Sequence, residues 1–88
     1  MGNIDKDISF ESSNFIKKLK TRFNDLRKSE QRVVKYIMKN PLEILDMTIN
    51  ELAKKSDCSD ATVVRACNNL DFNGFQDLKF SLKQDIEN

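Results

Sequence analysis

Two short helical patterns joined by a turn of four residues constrain this chain more than any other feature. Thr48-Ile49-Asn50-Glu51 has the spacing of a capping box, a hydroxyl at the N-cap and a carboxylate three residues on. Each satisfies a backbone N–H that the first turn of a helix leaves unpaired. Ile49, Leu52, Ala53 and Ser56 then share one face, and Lys54 and Lys55 point away from it. Ser56-Asp57-Cys58-Ser59 breaks the pattern, and Ser59 caps a second helix from Asp60 to about Leu70. Aspartate tolerates the left-handed backbone that a tight turn demands, although glycine adopts it more easily.

Residues 49–68 therefore satisfy the requirements of a helix-turn-helix. Ala53 supplies a small residue where the helices cross, Asp57 an unusual backbone in the turn, and Cys58 an apolar plug behind it. Val63, Ala66, Cys67 and Leu70 face inward. On this register Ser59, Asp60, Ala61, Val64, Arg65 and Asn68 face outward, with Thr62 and Asn69 at the edge; periodicity alone does not separate Val63 from Val64.

The outward set suits a DNA major groove. Arginine donates two hydrogen bonds to guanine O6 and N7, and asparagine pairs both ways with adenine N6 and N7. Ala61 and Val64 fit a thymine methyl. Asp60 either accepts from a cytosine N4 or serves the helix dipole. Ser59, Thr62 and the amides at the helix N-terminus suit phosphate, and Lys54, Lys55, Asn69 and Lys79 are further phosphate candidates.

The rest of the chain is helical too. Residues 1–11 show no clear period and read as a flexible leader. Ser12 or Ser13 caps a helix to about Asp25, with Phe15, Ile16, Leu19, Phe23 and Leu26 on its apolar face. The three-four alternation of Ile16, Leu19, Phe23 and Leu26 resembles a coiled-coil seam. Two turns of it are too few to specify a dimer, and packing onto the chain's own core is the simpler reading. Ser29 is placed as the N-cap of a helix ending at Lys39, because Pro41 disfavours helix at Asn40. Pro41 then opens a short helix to Leu45. Gly74 frees a turn before a last helix, Phe75 to about Ile86, packed through Phe75, Leu78, Leu82 and Ile86, with Phe80 as an added contact. The expected fold is all-α, a five- to six-helix bundle containing the helix-turn-helix, with residues 12–88 as one domain.

Charge does not by itself announce a nucleic-acid binder, since the net charge is +1. Its distribution is uneven: residues 1–40 carry ten Lys/Arg against five Asp/Glu, and residues 41–88 carry five against nine. There is no histidine, which removes a Cys/His zinc site, and Cys58 and Cys67 read as reduced, buried thiols. No Gly-rich phosphate loop and no nucleophile–base constellation is present, so neither catalysis nor a metal or cofactor is expected. No apolar run has the ~20 residues of a membrane span, and no secretory h-region opens the chain; a cytoplasmic protein is expected. The competing class is a helical protein–protein interaction module, docking through the basic first helix or the phenylalanines near the ends.

An ordered set of residues carries a family resemblance: Ser29-Glu30 with Val33 and Tyr36-Ile37, Asn40-Pro41, Thr48-Ile49-x-Glu51-Leu52-Ala53, Cys58-Ser59-x-Ala61-Thr62-Val63-Val64-Arg65, Leu70, and Gly74-Phe75-x-x-Leu78-Lys79. The set resembles the N-terminal domain of RpiR-family transcription regulators, over roughly residues 13–86. The resemblance implies sequence-specific binding of double-stranded DNA by a bacterial regulator of sugar or phosphosugar genes, acting as a homodimer. It also implies that a phosphosugar effector binds only a C-terminal sugar-isomerase-like domain, absent from this chain. The sequence departs from the family pattern in carrying aspartate at 57 and 71, where glycine is frequent. Asparagine stands at 68 and 69, where basic residues are frequent, and alanine at 66 in place of an aromatic. Fewer positive charges on the second helix lower its non-specific affinity.

Overall fold

The computed structural model describes residues 14–87. The leader and the caps expected at Ser12 or Ser13 lie outside the described residues. Six helices are present among them: α1 (Asn14–Phe23), α2 (Lys28–Lys39), α3 (Pro41–Ile44), α4 (Ile49–Lys55), α5 (Asp60–Asn69) and α6 (Phe75–Glu87). No strand occurs among the described residues.

Local chemistry explains most of the boundaries. Thr48 Oγ1 accepts from the Glu51 N–H at 3.1 Å, and Glu51 Oε1 accepts from the Thr48 N–H at 2.9 Å. The capping box expected there is thus formed in full. The bond from the Thr48 N–H holds the Glu51 carboxyl below the usual carboxylate range. Pro41 stands at the start of α3, where its missing N–H costs nothing. α2 begins earlier than expected, with Arg27 rather than Ser29 at its N-cap. The reason is Glu30, whose Oε1 reaches back to accept from the Arg27 N–H at 3.1 Å, so the acid closes this helix start. α1 stops at Phe23, two residues short of the expected end, in a turn closed by Asp25 N–H to Arg22 O and Leu26 N–H to Phe23 O.

One core joins the helices. Phe15, Ile16 and Leu19 of α1, Val33, Val34 and Ile37 of α2, Ile44, Leu52, Val63, Ala66, Cys67, Leu70, Phe72, Phe75, Leu78 and Leu82 are all buried in it. Its centre is the stack of α2 on α5 and α5 on α4, with α1 and α6 closing one side. The seam on α1 is therefore used within the chain, and Phe23 packs at the edge. Asp85 Oδ2 accepts from the Phe15 N–H at 2.6 Å, tying α6 to the start of α1. Burial pushes the Cys67 thiol up to about 12, which makes it an inert part of this core. Phe80 departs from expectation: it is 61% exposed, because Phe75, Leu78 and Leu82 define the inner stripe of α6 and position 80 falls behind it.

Two helices end in the same way. The Cys58 N–H bonds Ala53 O at 2.9 Å and the Asp57 N–H bonds Lys54 O at 3.2 Å after α4; Phe72 to Cys67 O and Asp71 to Asn68 O, each 3.0 Å, repeat the pattern after α5. Both are Schellman motifs, which require a left-handed residue just past the cap. Asp57 (φ 57°) and Asp71 (φ 73°) take that place. The sequence assigned the freedom after α5 to Gly74, which does have φ 89°, but Asp71 is left-handed as well. A side chain at φ > 0 is strained where glycine is not. Asp57→Gly is therefore expected to stabilise the domain by about 0.5–1 kcal/mol, a rise in Tm of roughly 2–8 °C by thermal unfolding. An unchanged or lower Tm would show that the aspartate side chain is itself needed in the turn.

Candidate nucleic-acid interface

Ala53 of α4 is buried, as are Val63 and Ala66 of α5, in the core that the two helices share. The turn between them is fixed from outside by α2. Arg32 Nε donates to Ser56 O at 3.3 Å and Nη2 to Asp57 O at 3.1 Å. A guanidinium on these last carbonyls satisfies acceptors that the end of α4 leaves open and meets the negative end of its dipole. Both acceptors are main-chain atoms, so the clamp does not depend on which side chain stands at 57. Cys58 is half-buried against the core, and burial raises its thiol pKa while Arg32 opposes the shift.

α5 opens on Ser59, whose Oγ accepts from the Thr62 N–H at 3.2 Å. Ser59, Asp60, Ala61, Val64, Arg65 and Asn68 are exposed and lie on one side of this helix, while Val63 is fully buried. The structure thereby separates the two valines that periodicity left ambiguous. Thr62 differs from its expected edge position. It is 6% exposed, and its Oγ1 lies 3.0 Å from Ser59 Oγ. Its hydroxyl is committed to the helix start. Asn50 Nδ2 reaches Asp60 Oδ1 at 3.5 Å, a link between the starts of α4 and α5.

The remaining candidates are placed as follows. Lys54 and Lys55 are exposed at the end of α4. Asn69 is exposed, yet its Nδ2 donates to Glu30 Oε1 at 3.2 Å. Lys79 is half-buried: its ammonium donates to Met47 O at 3.0 Å and sits 4.8 Å from the centre of the Phe75 ring. Two residues with no role in the sequence reading of the site stand behind it. Arg32 clamps the turn, and Glu30, buried in the core beneath α5, lies 3.8 Å by Oε2 from Arg65 Nε. Glu30 had a local signal, its N3 spacing from the cap, but nothing local points it at Arg65.

The surface so assembled is the exposed side of α5, a polar and small-residue face, with Lys54 and Lys55 exposed at the end of α4. Among the described residues no group of His, Cys, Asp and Glu is arranged to hold a metal ion, and no helix is long and apolar enough to cross a membrane.

Comparison with known proteins agrees with this geometry. The model of the helix-turn-helix domain of the rpiR family matches residues 13–88. The HTH-type transcriptional regulator HexR of Escherichia coli is 32% identical over 75 residues, 85% of this chain and 26% of that protein. The uncharacterized HTH-type transcriptional regulator YbbH of Bacillus subtilis is 38% identical over 58 residues, 66% of this chain and 20% of that protein. The crystal structure of the N-terminal domain of ybbH from Bacillus subtilis superposes with a TM-score of 0.80 at 30% identity, covering 88% of this chain and 94% of that one. The chain thus matches about a fifth to a quarter of the length of these full-length relatives.

Proposed function

Since this chain belongs to the rpiR family of helix-turn-helix domains, we propose that it binds duplex DNA sequence-specifically, as the DNA-reading part of a transcription regulator, by laying α5 in the major groove. The observation that carries this reading is the exposed face of α5 held by a clamped turn: Ser59, Asp60, Ala61, Val64, Arg65 and Asn68 project together while the opposite face is locked in the core. Arg65 and Asn68 have the donors to read purines, Ala61 and Val64 the apolar surface to meet a thymine methyl. The amides of Asp60 and Ala61 at the start of α5 and the ammoniums of Lys54 and Lys55 suit flanking phosphates. Asn69 and Lys79 contribute less, since each already serves an internal partner.

In the whole regulator we place this domain in a cytoplasmic homodimer, with two α5 helices facing half-sites about 34 Å apart, one helical turn of DNA. Its response to a phosphosugar is assigned to a sugar-isomerase-like domain outside these 88 residues. No catalytic step is assigned to the chain.

Selection of duplexes from a random pool tests the proposal. A consensus half-site should emerge, and affinity for it should fall as salt rises, with a log–log slope of about −0.9 for each phosphate neutralised. Equal affinity for selected and random duplexes at every salt concentration would refute sequence reading.

A further inference from the structure

We propose that Glu30 is a positioning residue for base reading: its buried carboxylate holds Arg65 by the Nε edge, so that the guanidinium meets the groove with its two terminal nitrogens foremost. The inference rests on the assignment of Arg65 to base reading made above.

The geometry of Glu30 is unusual for a surface helix start. The residue is 1% exposed. Its Oε1 carries both hydrogen bonds, from the Arg27 N–H at 3.1 Å and from Asn69 Nδ2 at 3.2 Å. Its Oε2 is fully buried and accepts no hydrogen bond. A buried carboxylate oxygen left in that state is costly, and native structures rarely keep one without a reason. The group set against it is the Arg65 guanidinium, with Nε 3.8 Å away. The Arg65 side chain remains 56% exposed, so the pairing occupies one edge and leaves the rest of the group in solvent.

An arginine fork offers its donors in a fixed plane. When Nε faces a carboxylate below, the Nη pair faces outward and presents two parallel N–H groups, the arrangement that guanine O6 and N7 accept. An unheld arginine must lose its rotamer freedom on binding and can reach phosphates and wrong bases in other poses. Holding it beforehand lowers the ordering cost and narrows the accepted partners. The carboxylate is itself rigid, because the start of α2 and Asn69 of α5 fix its other oxygen.

The merely structural alternative is that Glu30 only caps α2 and ties it to α5. Glu30→Gln separates the two roles. The amide oxygen can still accept from Arg27 and Asn69, while an NH2 group replaces Oε2 and opposes the guanidinium. The readout uses operator duplexes selected by the wild-type chain and then changed one base pair at a time. Glu30→Gln is expected to lower selectivity about tenfold at the one base pair that Arg65→Ala relaxes, and to leave the other pairs unchanged. Adding it to Arg65→Ala should have no further effect. Uniform weakening across all base pairs, or intact selectivity at the Arg65 pair, overturns the proposal. A measurement on the wild-type chain serves should the variant not fold. By nitrogen-resolved NMR the Arg65 Nε–H should exchange with water more slowly than that of exposed Arg22, and equal rates overturn the proposal. If Arg65→Ala relaxes no base pair at all, the base-reading assignment fails first and takes this inference with it.

Discussion

Arg65→Ala should weaken binding to a selected operator duplex by about 1–3 kcal/mol, roughly five- to 150-fold in Kd, with the loss concentrated at one base pair. The size follows from what arginine does that no neighbour on α5 can replace. Arg65 is the one cationic side chain in the α5 segment DATVVRACNN, and a bidentate pair with guanine discriminates against every other base. Binding to random duplex should change far less, since that term is set by phosphate neutralisation from several lysines. Anisotropy titrations on selected and single-substituted duplexes measure both. Truncation also leaves the buried Glu30 carboxylate without the guanidinium set against it, so a thermal scan is run in parallel and the affinities are corrected for the unfolded fraction, which separates the binding effect from unfolding. A variant that binds the operator as tightly as wild type, at every base substitution, would remove Arg65 from the interface.

Leu52→Ala should destabilise the domain by about 2–5 kcal/mol in urea unfolding. Leu52 is fully buried, in the same core as Val33 and Ile37 of α2 and Val63 of α5. Truncation removes its transfer free energy and leaves a cavity that helices pinned at their ends are slow to fill. At about 0.05–0.15 kcal/mol per residue, a domain of this length has roughly 4–13 kcal/mol in total, so the loss is a large share of it. Phe80→Ala is the contrast: at an exposed site it should stay within about 0.5 kcal/mol. Similar losses at the two positions would contradict the burial assigned to each. DNA affinity of Leu52→Ala, corrected for the unfolded fraction, should remain near wild type if the surviving fold keeps α5 in place.

The all-helical fold was legible because its signals are short in range. Thr48 and Glu51 satisfy each other's backbone N–H three residues apart, Ser59 does the same for Thr62, and Pro41 restricts Asn40 directly. The inward sets of α4 and α5 follow from a period that any helix must obey. The outward face of α5 was legible on the same ground, and its exposure is as expected. Thr62 was not: at the edge of the stripe, periodicity does not tell a hydroxyl that bonds inward to Ser59 from one that faces solvent. Phe80 failed for a related reason, since its hydrophobicity says nothing about which side of α6 the core occupies.

What the chain determined alone is the helical segments, the caps at Thr48 and Ser59 and the left-handed demand at Asp57, because these depend on atoms within about one turn of each other. Tertiary structure decided the partners that lie far apart in sequence: Arg32 on the carbonyls of Ser56 and Asp57, and Glu30 under Arg65 and Asn69, 39 residues from the latter. Such pairs exist only after α2 has stacked on α5, and that stacking follows from the shape and volume of the whole core, which no local spacing encodes.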